Sequence, residues 1–276
     1  KNDVNGAKEA LQILRRKFNV QKEMVQLIAD VQRQLSEKGR FKDLFYVESN
    51  RKALILATAT RTFQVFTGSI ALMSYQQLMI SQATDLSPVM GSTVLIIAGI
   101  IMVLLASQYI DKYGRKPIFA ISAATTSATL FAQAIFLNIK NSTTLDVTSI
   151  SWLSLLIMIL YNLAYRGGLG VVTNIYTSEI CSTSIKAKAM SFGSLNFAVV
   201  MIISTKMYQL TADYIDLSVP FYIFGISTFI ATLYFIYVLP ETKGKTLETI
   251  QQELKGNKPK NDEIVVISVK NIPIHI

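Results

Sequence analysis

The sequence predicts an all-α membrane protein in which six transmembrane helices form a 3+3 inverted repeat, preceded by short amphipathic helices. Three observations carry this reading. Apolar residues make up 51% of the 276, and the mean hydropathy is positive, +0.38, which places the chain among membrane proteins. Six apolar runs follow one another at 53–80, 88–110, 118–139, 151–178, 189–211 and 220–239. Each has about the twenty residues that a helix needs to cross the hydrocarbon. Finally, 23 of the 27 lysines and arginines lie in 1–52, 111–117, 179–188 and 241–276. All four segments fall on one side if the six runs are spans, which is the asymmetry that cytoplasmic loops show.

Residues 1–52 hold twelve Lys and Arg against seven Asp and Glu. Ala7, Leu11, Leu14 and Phe18 recur at helical spacing and share a face. We expect short cytoplasmic helices here, near an anionic leaflet. The second and third runs are joined by the tight turn Asp111-Lys112-Tyr113-Gly114-Arg115-Lys116, and 122–129 is dense in Ser, Ala and Thr, which suits close helix contact in lipid. The sequon Asn141-Ser142-Thr143 falls in a loop placed outside. The fourth and fifth runs are joined by 179–188, again an acid followed by bases. Equivalent loops at equivalent places are the mark of an internal repeat. After the sixth run Pro240 ends the helix, and Glu241, Lys243 and Lys245 leave the bilayer. The domains expected are thus 1–52 cytoplasmic helices, 53–239 a six-helix bundle, and 240–276 a cytoplasmic tail.

Several function classes are excluded by composition. The only cysteine, Cys181, rules out an internal disulfide, and the only histidine, His275, stands in the polar tail, so no His- or Cys-rich metal site is expected. No nucleophile–base pair is apparent, so we expect no enzyme activity and no cofactor. The basic charge behind the net +9 falls mostly in loops and ends, which argues for a bilayer partner rather than nucleic acid. Because the chain opens on Lys1 in a charged, mixed segment without Met, no signal peptide is expected, and it reads as something cut from a longer chain.

Five stretches stand in one order: Lys8 to Arg16, Gln64 to Gly68, Asp111-x-x-Gly114-Arg115-Lys116, Glu179 to Lys186, and Pro240-Glu241-Thr242-Lys243-Gly244. Together they resemble one family, the sugar porters of the major facilitator superfamily, and among them insect trehalose and glucose facilitators in character. The resemblance implies spans seven to twelve of a twelve-span plasma-membrane carrier, with the N-terminal six-helix half missing and both termini of this chain cytoplasmic. It implies passive carriage of a sugar, trehalose or a hexose, by alternating access. It also implies that Asp111, Gly114, Arg115, Lys116, Glu179, Lys186 and Glu241 form an inner charge network that closes the cytoplasmic gate, the plainer alternative being solvated surface charge. Lys186 stands where the family has Arg, and loses bidentate geometry.

A sugar offers many hydroxyls and no charge, so its site needs amides and hydroxyls that both donate and accept. Gln64 lies eleven residues into its run, about 16 Å deep at the usual rise, near the midplane where transporter sites lie. Thr67, Gly68 and Tyr75 follow at helical spacing on its face. With Asn174 and Asn196 they form the expected sugar site; alternatively, Gln64 bonds a neighbouring helix. The chain also departs from the family. Val65 replaces a second Gln, Ile70 an Asn, and 170–174 lacks the usual prolines and tryptophan. Two further readings stay open on this account: a non-transporting sugar sensor or scaffold, and a carrier of an anionic solute. Arg61 and Arg166, inside apolar runs, favour the latter unless they snorkel or pair; Lys206 is expected to snorkel. No Asp or Glu stands within a run, which argues against a proton relay here.

Overall fold

A computed structural model describes residues 4–15, 20, 21, 24, 25, 28, 41–83, 87–142, 152–182, 185–245 and 247–254. Phe18, Thr143, His275 and the tail beyond Leu254 lie outside them, as do the side chains of Leu14 and Asp111. Among the described residues the chain is helical, with no strand. In order run α1 Val4–Arg15, α2 Asp43–Tyr46, α3 Glu48–Val65, α4 Ser69–Ser74, α5 Gln76–Ala83, α6 Pro88–Tyr113, α7 Arg115–Ser142, α8 Trp152–Arg166, α9 Leu169–Ile180, α10 Lys186–Tyr214, α11 Val219–Tyr237 and α12 Leu247–Leu254.

Five stretches are long and apolar enough to cross a membrane: Pro88–Ile110, Arg115–Asn141, Trp152–Ile180, Lys186–Tyr214 and Val219–Tyr237. They match the last five predicted runs. The first run, 53–80, differs: it is three helical pieces, α3, α4 and α5, with breaks at 66–68 and Tyr75. Gly68 explains the first break. Its φ of +78° is strained for any other residue, and a Cβ there would overlap the Phe224 ring of α11. Hydropathy is blind to such a break, because the flanking residues are apolar on both sides. The fourth run breaks as well, at 167–168 between α8 and α9, where a Cβ on Gly168 would overlap Ser122 of α7.

The spans present apolar side chains outward, as lipid allows. Ile96, Ile97, Ile100, Ile101 and Leu104 of α6, and Leu195, Val199, Ile202 and Ile203 of α10, are exposed. Burial is concentrated in two clusters separated along the bundle. One, at the end carrying the basic loops, gathers Leu54, Ile110, Phe119, Tyr176, Ile180 and Phe235, with the Phe119 and Phe235 rings stacked 4.8 Å apart. The tail helix α12 joins it through Ile250 and Leu254, one turn apart on one face, and Gln251 donates to the Ile180 carbonyl at 2.8 Å. The other cluster gathers Leu72, Met79, Leu95, Leu130, Tyr208 and Phe224. The breaks at 66–68 and 167–168 fall between the two clusters.

Candidate functional site

Where a helix breaks, its last carbonyls and first N–H groups lose their intrahelical partners. At the breaks at 66–68 and 167–168, side chains of neighbouring helices reach the backbone. Gln64, at the end of α3, donates from Nε2 to the Leu169 and Gly170 carbonyls at the start of α9, at 3.3 and 3.5 Å. Tyr161 of α8 donates to the Thr67 carbonyl at 3.1 Å. Ser122 of α7 donates to the Ala164 carbonyl at 2.6 Å and accepts from the Leu169 N–H at 3.0 Å. The result is a polar seam at mid-depth. Arg61 completes it: one Nη donates to Asn174 Oδ1 at 2.7 Å and to Gln64 Oε1 at 3.2 Å, while the guanidinium lies 4.9 Å over the Phe197 ring, a favourable cation–π placement.

The sequence-predicted binding residues divide at this seam. Gln64, Asn174 and Arg61 meet, although 113 positions separate Arg61 from Asn174. Asn196 of α10 lies on the same side of the break and donates to Thr62 Oγ1 at 3.1 Å. Thr67 is turned inward, its hydroxyl spent on the Gln64 carbonyl at 2.7 Å. Gly68 serves the break and the close approach of Phe224. Tyr75 does not join Gln64: it stacks on Tyr208 at 4.8 Å in the second cluster. The shared face expected of Gln64, Thr67, Gly68 and Tyr75 needs an unbroken helix, and Gly68 ends it. In this conformation Gln64 bonds the neighbouring helix, the alternative left open above.

The predicted charge network is built around Glu241. Its carboxylate accepts the backbone N–H groups of Arg115, Lys116, Thr242 and Lys243, at 3.0, 3.0, 3.0 and 2.9 Å. Two of these are orphan donors at the start of α7, so a residue 126 positions away caps that helix. Burial pushes the Glu241 carboxyl up, but the four N–H donors outweigh it and hold the group below the ordinary glutamate range. Gly114 makes the approach possible. Its φ is +95°, and a Cβ would stand 2.8 Å from Glu241 Oε2. Arg115 pairs with Glu179 at 2.9 Å, the two side chains 13% and 27% exposed, and Thr242 donates to the other Glu179 oxygen at 2.6 Å. Lys243 donates to the Lys112 carbonyl at 2.6 Å. Lys116 enters through its backbone. Lys186, predicted as a member, heads α10 and makes no ion pair with a described residue. Cys181, two residues beyond Glu179, is fully buried, and burial pushes its thiol up to about 11.

Sequence reading missed a third feature. On the far side of the breaks a cavity of about 100 Å³, open at its mouth, is lined by Gln76, Gln133, Tyr161, Asn162, Tyr165 and Arg166 among mostly apolar neighbours. None of the six predicted binding residues lines it. Arg166 was the one available signal, a cation inside an apolar run. Gln133 and Asn162 each look like an ordinary helix–helix amide when read along the chain.

Residues 1–254 match the family model described as "Sugar (and other) transporter". Among curated relatives, the chain is 29% identical over 257 residues to the facilitated trehalose transporter Tret1 of Bombyx mori, covering 91% of this chain and 50% of that protein. It is 25% identical over 281 residues to Tret1 of Apis mellifera ligustica, covering 55% of that protein. The chain thus spans about half the length of these two relatives. Among solved structures, a double-tryptophan mutant of XylE superposes with a TM-score of 0.72 at 19% identity, over 84% of this chain and 48% of that one. The proton:xylose symporter XylE bound to 6-bromo-6-deoxy-D-glucose gives 0.68 at 19%, over 91% of this chain and 53% of that one. These structures share the fold.

Proposed function

We propose, from the premise that the chain belongs to the family of sugar (and other) transporters, that it is the six-helix bundle of a facilitative carrier for trehalose or a hexose. The observation that carries the proposal is the mid-depth seam, where Arg61 joins the amides of Gln64 and Asn174 beside two broken spans. Each amide both donates and accepts, as sugar hydroxyls require. Arg61 occupies both amide oxygens in this conformation; an arriving sugar exchanges its hydroxyls for those bonds, so little polar surface is left unpaired at any stage. A second six-helix bundle, for which relatives of twice this length have room, closes the site from the opposite side. The Glu241, Arg115 and Glu179 lattice then acts as the gate on the cytoplasmic face, with both ends of this chain on that face of the plasma membrane. Breaking the lattice frees two rigid bundles to rock inward.

Uptake of labelled trehalose and glucose tests this, in cells making this chain fused behind the N-terminal half of the silkworm relative. Saturable uptake that unlabelled sugar competes away is expected, falling about tenfold or more in Gln64→Leu, which removes the amide. Absence of uptake despite surface delivery rejects the carrier. A sugar sensor or scaffold would then be favoured by the complete internal use of Gln64 and Thr67.

A further inference from the structure

Arg166 is the fifteenth residue of the 29-residue span Trp152–Ile180, about 21 Å from its start at the helical rise. That is farther from the interface than a side chain reaches, so snorkelling does not relieve its charge. The side chain instead turns inward across α6. A Cβ on Gly99 would lie 2.6 Å from Arg166 Cδ and Nε and 2.8 Å from Asn162 Oδ1, so the absence of a side chain at 99 is what admits both groups. Among the described residues no acceptor takes a hydrogen bond from the guanidinium, and the carboxylates of the spans, Glu179 and Asp213, stand at span ends. An unpaired cation at this depth is costly and calls for an anion.

A second, independent observation comes from α7. Gln133 is 2% exposed and donates to Ser154 at 2.7 Å, yet its Oε1 is buried without a partner. Asn162 Oδ1 is buried without a partner as well. Both residues line the cavity that holds Arg166. Buried acceptors left unpaired are uncommon, and two beside a free guanidinium describe a ligand by its complement: a carboxylate for Arg166 and hydroxyl donors for the amide oxygens. The nearby phenyl faces of Tyr161 and Tyr165, stacked 6.3 Å apart, offer an apolar wall for a ring. The cavity itself is small, about 100 Å³, and opens at its mouth, so a ligand seated on Arg166 extends outward through that opening.

We propose that this cavity and its mouth are a binding site for a hydroxylated carboxylate, a sugar acid, held by Arg166 with Gln133 and Asn162 accepting its hydroxyls. This goes beyond the transport reading, because it requires binding and not carriage. The whole chain in nanodiscs of zwitterionic phosphatidylcholine is titrated calorimetrically with sodium D-glucuronate and with D-glucose. Glucuronate is expected to bind about tenfold or more tighter, the increment of one charge-assisted pair. Arg166→Gln removes that preference. Arg166→Lys, which keeps the charge and loses the fork, retains the preference with weaker binding, and so serves if the Gln variant does not fold. Gln133→Leu weakens both ligands. Equal affinity of the two ligands, no glucuronate binding, or glucuronate binding unchanged in Arg166→Gln each overturns the proposal. Glucuronate binding without sugar flux in the fused carrier would sink the transport reading and leave this one standing.

Discussion

Two guanidinium groups in this bundle stand in opposite circumstances. Arg115, at the end with the basic loops, meets the Glu179 carboxylate at 2.9 Å and shares that carboxylate with Thr242. Arg166, at mid-depth, meets no carboxylate among the described residues and looks instead onto amide oxygens without donors. The difference teaches where this chain finishes its own electrostatics and where it does not. Its charged end is a closed lattice, in which every carboxylate oxygen of Glu179 and Glu241 has a donor. The mid-depth region is polar but open, which suits something that enters from outside.

The sharpest way to break the comparison is to empty the closed region. Arg115→Leu leaves Glu179 facing an apolar chain, and unfolding stability should fall by about 3 kcal/mol, the cost of stranding one partner of a largely buried pair. Thermal melting in detergent reads it. Gly114→Ala comes next. It adds a Cβ 2.8 Å from a Glu241 oxygen at φ +95°, and should cost about 2 kcal/mol by the same measurement. Thr242→Val removes one hydrogen bond to Glu179 and should cost about 1 kcal/mol. Arg61→Met belongs to the open region. It releases Gln64 Oε1 and Asn174 Oδ1 toward the half-exposed seam, so it should shift stability by less than about 1 kcal/mol. In the fused carrier it should change sugar affinity instead. If Arg61→Met proved as costly as Arg115→Leu, the two regions would not differ in kind.

Acid provides a further separation. The folded pKa of Glu241 is depressed, so its stabilising contribution is present above the ordinary glutamate value of about 4.5 and is lost as pH falls through the lower folded value. The charged end should therefore hold from neutral pH down to about 4.5 and loosen below it. Titration followed by proteolysis of the 240–245 segment checks this, and the loosening should vanish in Glu241→Gln.

The charged end was largely legible in the sequence, because each of its groups sits in a short loop between apolar runs. Asp-x-x-Gly-Arg-Lys at 111–116, the acid at 179 and Pro-Glu-Thr at 240–242 announce a helix end, and helix ends gather charge. What the loops did not reveal was chemistry of the backbone. Glu241 works by accepting four N–H groups, and Lys186, chosen for its charge, pairs with no described carboxylate. The mid-depth region was less legible. A single glycine in an apolar stretch does not say whether the helix continues, and only the Phe224 ring against Gly68 decides it. The cavity was less legible still: Asn162 and Arg166 share a face of α8 at i, i+4, but Gln133 of α7 joins them only through packing.

Whether the Glu241 carboxylate holds the charged end shut is read directly by Cys181. It is the only cysteine, fully buried beside Glu179, with its thiol raised to about 11, so it is both inaccessible and unreactive. The measurement is its alkylation rate by N-ethylmaleimide at neutral pH, in nanodiscs, for the natural chain and for Glu241→Gln. A closed lattice predicts slow labelling in the natural chain and labelling about tenfold or more faster in the variant, as the thiol gains solvent. Equal rates in two chains that melt alike would contradict it.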